Sequence, residues 1–334
     1  MAVRGEDQHQ DIPVNPAGVA SSALATEAAG GTPVPVVDEV EDLVEGTAPA
    51  RSQLQLVTRR FLRHKLAVAA LVVLVVFYLL AFFAPQVAPY ELTPQLTGET
   101  LANARQGPSA KHWFGTDELG RDQLTRVLYA GRVSLVIGVM VALISTAIGT
   151  TIGALAGYLG GKVDRALMFL TDMTLVIPGL AVLMIAQKGL GGSTRTIILI
   201  LSLLFWTTIA RVIRGVFLSL KEKEFVEAAK AIGCSTPRII FRHMLPNTVG
   251  PIIVNTTLII GGAILIESTL SFLGFGVEPP DVSWGNMIAQ SKNAVGTPTA
   301  YLIYFPGLAL FLTILSVNFL GDGLRDALDP QSDR

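Results

Sequence analysis

From residue 59 onward the chain alternates long apolar runs with short polar ones. Six runs, 66–84, 133–157, 167–187, 196–210, 248–273 and 302–320, approach the length of a membrane crossing. A helix needs about 20 mainly apolar residues to cross about 30 Å of hydrocarbon. The fourth run is short and is expected to continue into 211–214. Runs of this kind suit helices rather than the roughly ten-residue alternating strands of a membrane barrel. The pattern predicts an all-α membrane protein with six transmembrane helices.

Two connections, 85–132 and 274–301, are too long to be simple turns. Pro85, Pro89, Pro94 and Gly98 interrupt the first, and Pro279-Pro280 the second. Leu119, Leu124, Val127 and Leu128 have helical spacing and predict a short helix near 117–130. Within the second run, Ser145, Gly149, Gly153, Gly157 and Gly161 recur every four residues. Small residues at that spacing let helix backbones approach closely, either inside the fold or at a seam with a partner subunit. Pro178-Gly179 is expected to break or kink the third span.

Composition agrees with this pattern. The 334 residues are 51% hydrophobic and 15% charged, with a mean hydropathy of +0.53. A soluble domain carries about 25% charged residues. The net charge of −1 offers no bulk field for nucleic acid. Cys234 is the single cysteine, which excludes an intramolecular disulfide and a multi-cysteine metal site. Residues 1–50 hold nine acids, one base and no aromatic residue, so 1–58 is expected to be a disordered acidic tail rather than a signal peptide. With the N-terminus inside, seventeen of the 25 Lys and Arg residues fall on the cytoplasmic side and eight outside. Arg59, Arg60, Arg63 and Lys65, directly before the first span, are the strongest orienting group. Both termini are therefore expected to be cytoplasmic.

The inner segment 215–247 reads GVFLSLKEKEFVEAAKAIGCSTPRIIFRHMLPN. A first short helix is expected over 222–232, with Phe225, Ala229 and Ile232 on its apolar side. Gly233 stands where a left-handed helix stop is wanted. Ser235 is positioned as the next N-cap, with Pro237 in the following first turn. Ile239, Ile240 and Met244 continue the apolar side, and Pro246 ends the second helix. Such a bracketed pair, tethered to two spans, suits transmission of a push from a cytoplasmic partner. Its mixed charges and membrane tether argue against a DNA-reading role.

Glu227-Ala228-Ala229, Gly233 and Leu245-Pro246 together resemble the EAA signature of prokaryotic ABC importer permeases. His243 stands where the general pattern has isoleucine. Three further segments resemble the C-type subunit of the dipeptide/oligopeptide permease branch: HWFGTDELGRDQLTRVLYAGRVSL at 112–135, ESTLSFLGFGVEPPDVSWGNMI at 267–288 and FLGDGLRDALDP at 319–330. The resemblance covers about 59–330. It implies a type I (MetI-like) core of five helices with an added N-terminal anchor helix. It also implies a B-type second permease subunit, two ABC ATPase subunits and an extracytoplasmic peptide-binding protein, all serving peptide transport across the cytoplasmic membrane. Glu227, Ala228, Ala229, Gly233, Leu245 and Pro246 would then couple this chain to the ATPases. The implied domains are the tail 1–58, the anchor helix and outer loop 59–132, the permease domain 133–325 and a C-terminal tail 326–334.

No Walker A sequence is present. Gly160-Gly161-Lys162-Val163 lacks both the first glycine and the hydroxyl residue after lysine. The chain is expected to be no enzyme and to hold no cofactor or metal, with ATP and Mg bound by the partner ATPases. His9, His64, His112 and His243 all lie outside the predicted spans, which weighs against a membrane-embedded protease or metalloenzyme. The other alternative is an ATP-independent secondary transporter or channel, which would need an intramembrane ion site. Asp172 and Glu267 are the only acids in the predicted spans. Each is read either as a pathway residue or as a hydrogen-bonding group that fixes helix packing. Trp113, Trp206 and Trp284 are placed as membrane-interface anchors.

Overall fold

The computed structural model describes residues 53–93 and 97–328. The expected acidic tail falls largely outside them. Residues 53–58, assigned to that tail, instead begin helix α1 (Gln53–Arg63). Among the described residues the structure is helical, with one isolated antiparallel bridge between Thr116 and Asp122.

His64 separates α1 from α2 (Lys65–Phe82), and its Nδ1 accepts the amide of Ala67 at 3.1 Å. The second span is longer than its apolar run. Helix α3 (Gln123–Leu159) has 37 residues and extends about 55 Å. It absorbs the second half of the helix expected at 117–130. Asp122 caps it, accepting the Thr125 amide at 2.8 Å, and this cap sets where the outer loop ends.

Helices α4 (Gly161–Val176) and α5 (Gly179–Leu190) replace a straight third span and are bent by 78° at Ile177-Pro178. Proline lacks the N–H that would continue the ladder, so the expected break occurs there. Helix α6 (Thr194–Lys221) includes Arg211 and Arg214, as the expected continuation into 211–214 has it, and runs seven residues further. Among the described residues, five helical segments are long and apolar enough to span a membrane, six if the bent pair forms one crossing.

The small-residue stripe belongs to the interior of this chain. A Cβ on Gly153 would lie 2.5 Å from the Ala210 carbonyl oxygen, and one on Gly149 2.5 Å from that of Trp206. Gly157 meets Phe217 in the same way, and Ser145 Oγ donates to the Ser202 carbonyl at 3.3 Å. The stripe therefore joins α3 to α6 and is not a free seam. Gly161 stands apart from it, with φ of +56° at the turn into α4.

Helix α8 (Val249–Phe272) packs between α3 and α10 (Tyr301–Leu328). Helix α10 also supports α2, where Gly323 lies against Ala67. Helix α10 continues to Leu328 through 326–328, which were assigned to the C-terminal tail, and 329–334 lie outside the described residues.

At the outer end the long loops are ordered by polar pins. Asp117 accepts from buried Arg126 and, at 2.7 Å, from Arg121 Nε, while its other oxygen accepts two backbone amides at 2.9 Å. His112 Nδ1 lies 2.9 Å from Asp122. The short helix α9 (Trp284–Gln290) is fixed by Trp284, whose Nε1 donates to the Val127 carbonyl at 3.0 Å. Trp284 and Trp206 are thus buried and are not interface anchors; Trp113 remains exposed.

Candidate functional site

The segment after α6, expected on the cytoplasmic side, forms a compact hairpin. Lys223 leads into α7 (Glu224–Ala231), shorter by three residues than expected. Its stop is a complete Schellman turn. The Cys234 amide donates to the Ala229 carbonyl at 3.0 Å and the Gly233 amide to that of Lys230 at 2.9 Å. Gly233 has φ of +78°, a conformation that costs a residue with a Cβ roughly 1–2 kcal/mol.

The apolar face differs from the expected one. Val226 and Ala229 are the buried positions, packed in one cluster with Phe217, Ile239, Ile240 and Met244. Phe225 is exposed, Ile232 is 80% exposed and Phe241 68% exposed. A two-turn helix offers too few positions for periodicity to fix its phase. Within the signature, Ala229 is therefore the buried foot of α7, whereas Glu227, Ala228 and Gly233 face outward.

The return limb starts at Ser235, which takes the N-cap position without a side-chain cap bond. One turn later the chain widens into a π-helix over Ile239–Met244, with the Leu245 amide donating to the Ile240 carbonyl. Pro246 accounts for this. Its ring would collide with the carbonyl four residues back, so the preceding turn opens. Asn247 Nδ2 then donates to the His243 carbonyl at 2.6 Å, and Thr248 Oγ1 to that of Leu245 at 2.7 Å. Leu245 is half-buried and Pro246 exposed, and the segment passes through Thr248 directly into α8. The hairpin thus joins α6 and α8 with no slack.

Glu267 is far from this hairpin and fully buried. Its carboxylate accepts Ser283 Oγ at 2.6 Å and Ser271 Oγ at 2.8 Å, with Ser268 Oγ at 3.5 Å. Ser283 in turn caps α9 by accepting the Asn286 amide at 3.1 Å. Glu267 has the hydrogen bonds of its packing alternative. It is a pin between α8 and the outer loop, and its oxygens are occupied. Asp172 differs: it is exposed, and its Oδ1 accepts from Arg211 Nη2 at 2.6 Å.

Residues 149–334, just over half the chain, match the family described as the binding-protein-dependent transport system inner membrane component. The chain belongs to this family. Residues 52–108 match the N-terminal TM domain of oligopeptide transport permease C. The dipeptide transport system permease protein DppC of Bacillus subtilis is 41% identical over 85% of this chain and 87% of its own length. The oligopeptide transport system permease protein OppC of Mycobacterium bovis is 42% identical over 84% and 96%. The glutathione transport system permease protein GsiD of Shigella flexneri is 42% identical over 82% and 89%. This chain is a multi-pass ABC importer permease of the peptide branch, with the helical architecture expected of a type I importer permease.

Permease residues that sequence reasoning missed are the bases on α6. Arg214 binds Asp164 of α4 through two hydrogen bonds, Nε to Oδ1 at 2.5 Å and Nη2 to Oδ2 at 2.7 Å. Arg211 binds Asp172, two turns further along α4. The signal available was the pairing of two acids on one apolar segment with two bases on the next. Counting the arginines as loop charges concealed it. Among the described residues, no group of three or more His, Cys, Asp or Glu side chains is arranged to hold a metal ion.

Proposed function

We propose that this permease translocates dipeptides and oligopeptides across the cytoplasmic membrane, driven by two ABC ATPase subunits that dock on the hairpin 222–247. A B-type second permease subunit completes the path, and an extracytoplasmic peptide-binding protein delivers the cargo. ATP and Mg belong to the ATPases. Both chain termini lie on the cytoplasmic side, a placement supported by the basic residues Arg59, Arg60, Arg63 and Lys65.

One observation carries the reading. The hairpin presents Glu227 and Ala228 outward on a helix whose stop and whose exit are both fixed. Exposed Ile232 and Phe241 provide apolar surface beside them, which a docked partner would cover. Ala228 lets a partner backbone approach, Glu227 offers a charge for a base, and Gly233 holds the turn. Leu245 and Pro246 close the hairpin onto α8. Closure of the ATPase dimer on ATP shifts α7, and because the hairpin has no slack, α6 and α8 shift with it. The path then opens to the binding protein, and hydrolysis restores the inward-facing state. The cargo class is supported by the relatives named above, whose dipeptide, oligopeptide and glutathione cargoes are all short peptides.

The test is purification of the assembled complex in mild detergent, followed by reconstitution with its binding protein. Recovery of a second permease and two ATPase copies is expected, with peptide uptake that depends on ATP. In Glu227→Ala combined with Gly233→Val, uptake and peptide-stimulated ATP hydrolysis are expected to fall at least tenfold in a normally assembled complex. Transport by this chain alone, without ATP, would instead identify a secondary transporter or channel.

A further inference from the structure

Asp172 and Arg211 form a single 2.6 Å hydrogen bond, and their side chains are 56% and 52% exposed. Their position makes that exposure informative. Asp172 lies five residues into the apolar run that begins at 167, about 8 Å along α4. Its neighbours Phe169, Leu170, Met173 and Val176 are apolar and exposed. An aspartate side chain is too short to reach the membrane surface from there. Lipid against this face would leave a half-solvated ion pair in hydrocarbon, which costs several kcal/mol. A protein surface sealing it would impose the desolvation penalty of two charges. Water satisfies both groups.

The second ion pair on the same two helices behaves differently. Asp164 and Arg214 are joined by two hydrogen bonds and are less exposed. That bidentate pair holds α4 to α6. With it in place, the singly bonded Asp172–Arg211 pair can open without separating the helices.

We infer that the face of α4 and α6 bearing Asp172 and Arg211 lines the aqueous cargo route, where the pair exchanges its mutual bond for the two charged ends of a passing peptide. Arg211 takes the carboxylate and Asp172 the ammonium group. Each charge then has a partner before, during and after passage, so neither the site nor the cargo is left uncompensated. The inference rests on the importer reading and adds the chemistry of the path to it.

The test uses the full complex in proteoliposomes on a Cys234→Ser background. Asp172→Cys and Arg211→Cys are treated with membrane-impermeant thiol reagents, one anionic and one cationic. Both positions are expected to react, whereas Val72→Cys on α2 does not. Asp172→Cys, left beside Arg211 and Arg214, is expected to favour the anionic over the cationic reagent by about thirtyfold, since one unit charge at about 4 Å in water shifts the two by about fivefold in opposite directions. Arg211→Cys is expected to favour the cationic one. Uptake of a dipeptide with free ends is then compared with that of its N-acetylated form. Asp172→Asn is expected to abolish the preference for the free amino end, and Asp172→Glu to restore it. Unreactive cysteines at both positions, or an unchanged preference in Asp172→Asn, overturn the inference. Absence of ATP-driven uptake by the unmodified complex overturns the importer reading instead, and the labelling still decides whether this face is wet.

Discussion

The Ser283 hydroxyl donates to Glu267 at 2.6 Å and at the same time accepts the Asn286 amide at 3.1 Å. One side chain thereby ties a buried carboxylate in α8 to the start of α9. Replacing Glu267 with Ala leaves three serine hydroxyls without their acceptor. A loss of about 3 kcal/mol is expected, and the thermal midpoint of the purified complex should fall. Glu267→Gln keeps one acceptor oxygen and should lose less than half as much. Equal midpoints for Ala and wild type would remove the pin from the account.

Asp117 gives a second test of the outer cap. Arg126 is buried and has Asp117 and Gln290 as partners. Asp117→Ala leaves that guanidinium without its counter-charge, and breaking a buried pair from one side costs about 3–5 kcal/mol. Expression of folded, monodisperse protein should collapse. Glu118→Ala, which removes an exposed pair with Arg105, should leave it unchanged.

Gly153 tests the contact of α3 with α6. Its missing Cβ would sit 2.5 Å from a backbone oxygen, which no side-chain rotation relieves. Gly153→Val should destabilise by more than the usual 1–3 kcal/mol of overpacking, as read by thermal aggregation in detergent. Gly307→Val, at a helical glycine with no atoms near its Cβ position, is the matched control and should be mild.

At Gly233 the issue is conformation, since no atom lies near its Cβ position. Gly233→Asn should retain most ATP-coupled uptake, because asparagine tolerates the left-handed region. Gly233→Val should lose it while the complex still assembles. Equal uptake by both variants would show that the left-handed turn is dispensable.

Hydropathy locates the helices because lipid imposes length and composition on them, and 66–84 and 248–273 match the helices Lys65–Phe82 and Val249–Phe272 within two residues. It failed where polar groups find partners that a single segment does not reveal. Arg211 and Arg214 ended the fourth run early, yet each is neutralised by an aspartate on α4 and the helix continues. Gln123–Val133 extended α3 outward for the same reason, with Arg126 compensated by Asp117. The positions of the hairpin's bracketing residues, Gly233 at a left-handed stop and Ser235 at an N-cap position, were legible by spacing. Which of them face outward was not, because the phase of α7 depends on packing against Ile239 and Met244. The role of Glu267 was closed to sequence reading, since Ser283 reaches it through a chain reversal sixteen residues later.

Gly149, Gly153 and Gly157 set the α3 backbone directly against α6. Surfaces meshed at that distance have no lubricating layer of side chains. Sliding one past the other would require a step of a whole helical turn, about 5.4 Å, and not a smooth drift. The two helices therefore form one double-width rod, and each is long and apolar enough to cross a membrane. Its inner tip is Lys221, at the threshold of the hairpin. Its outer tip is Gln123, beside the Asp117–Arg126 pair. Under the proposed function, a tilt imposed at the hairpin end would be carried by α3 and α6 together to the Asp117–Arg126 end.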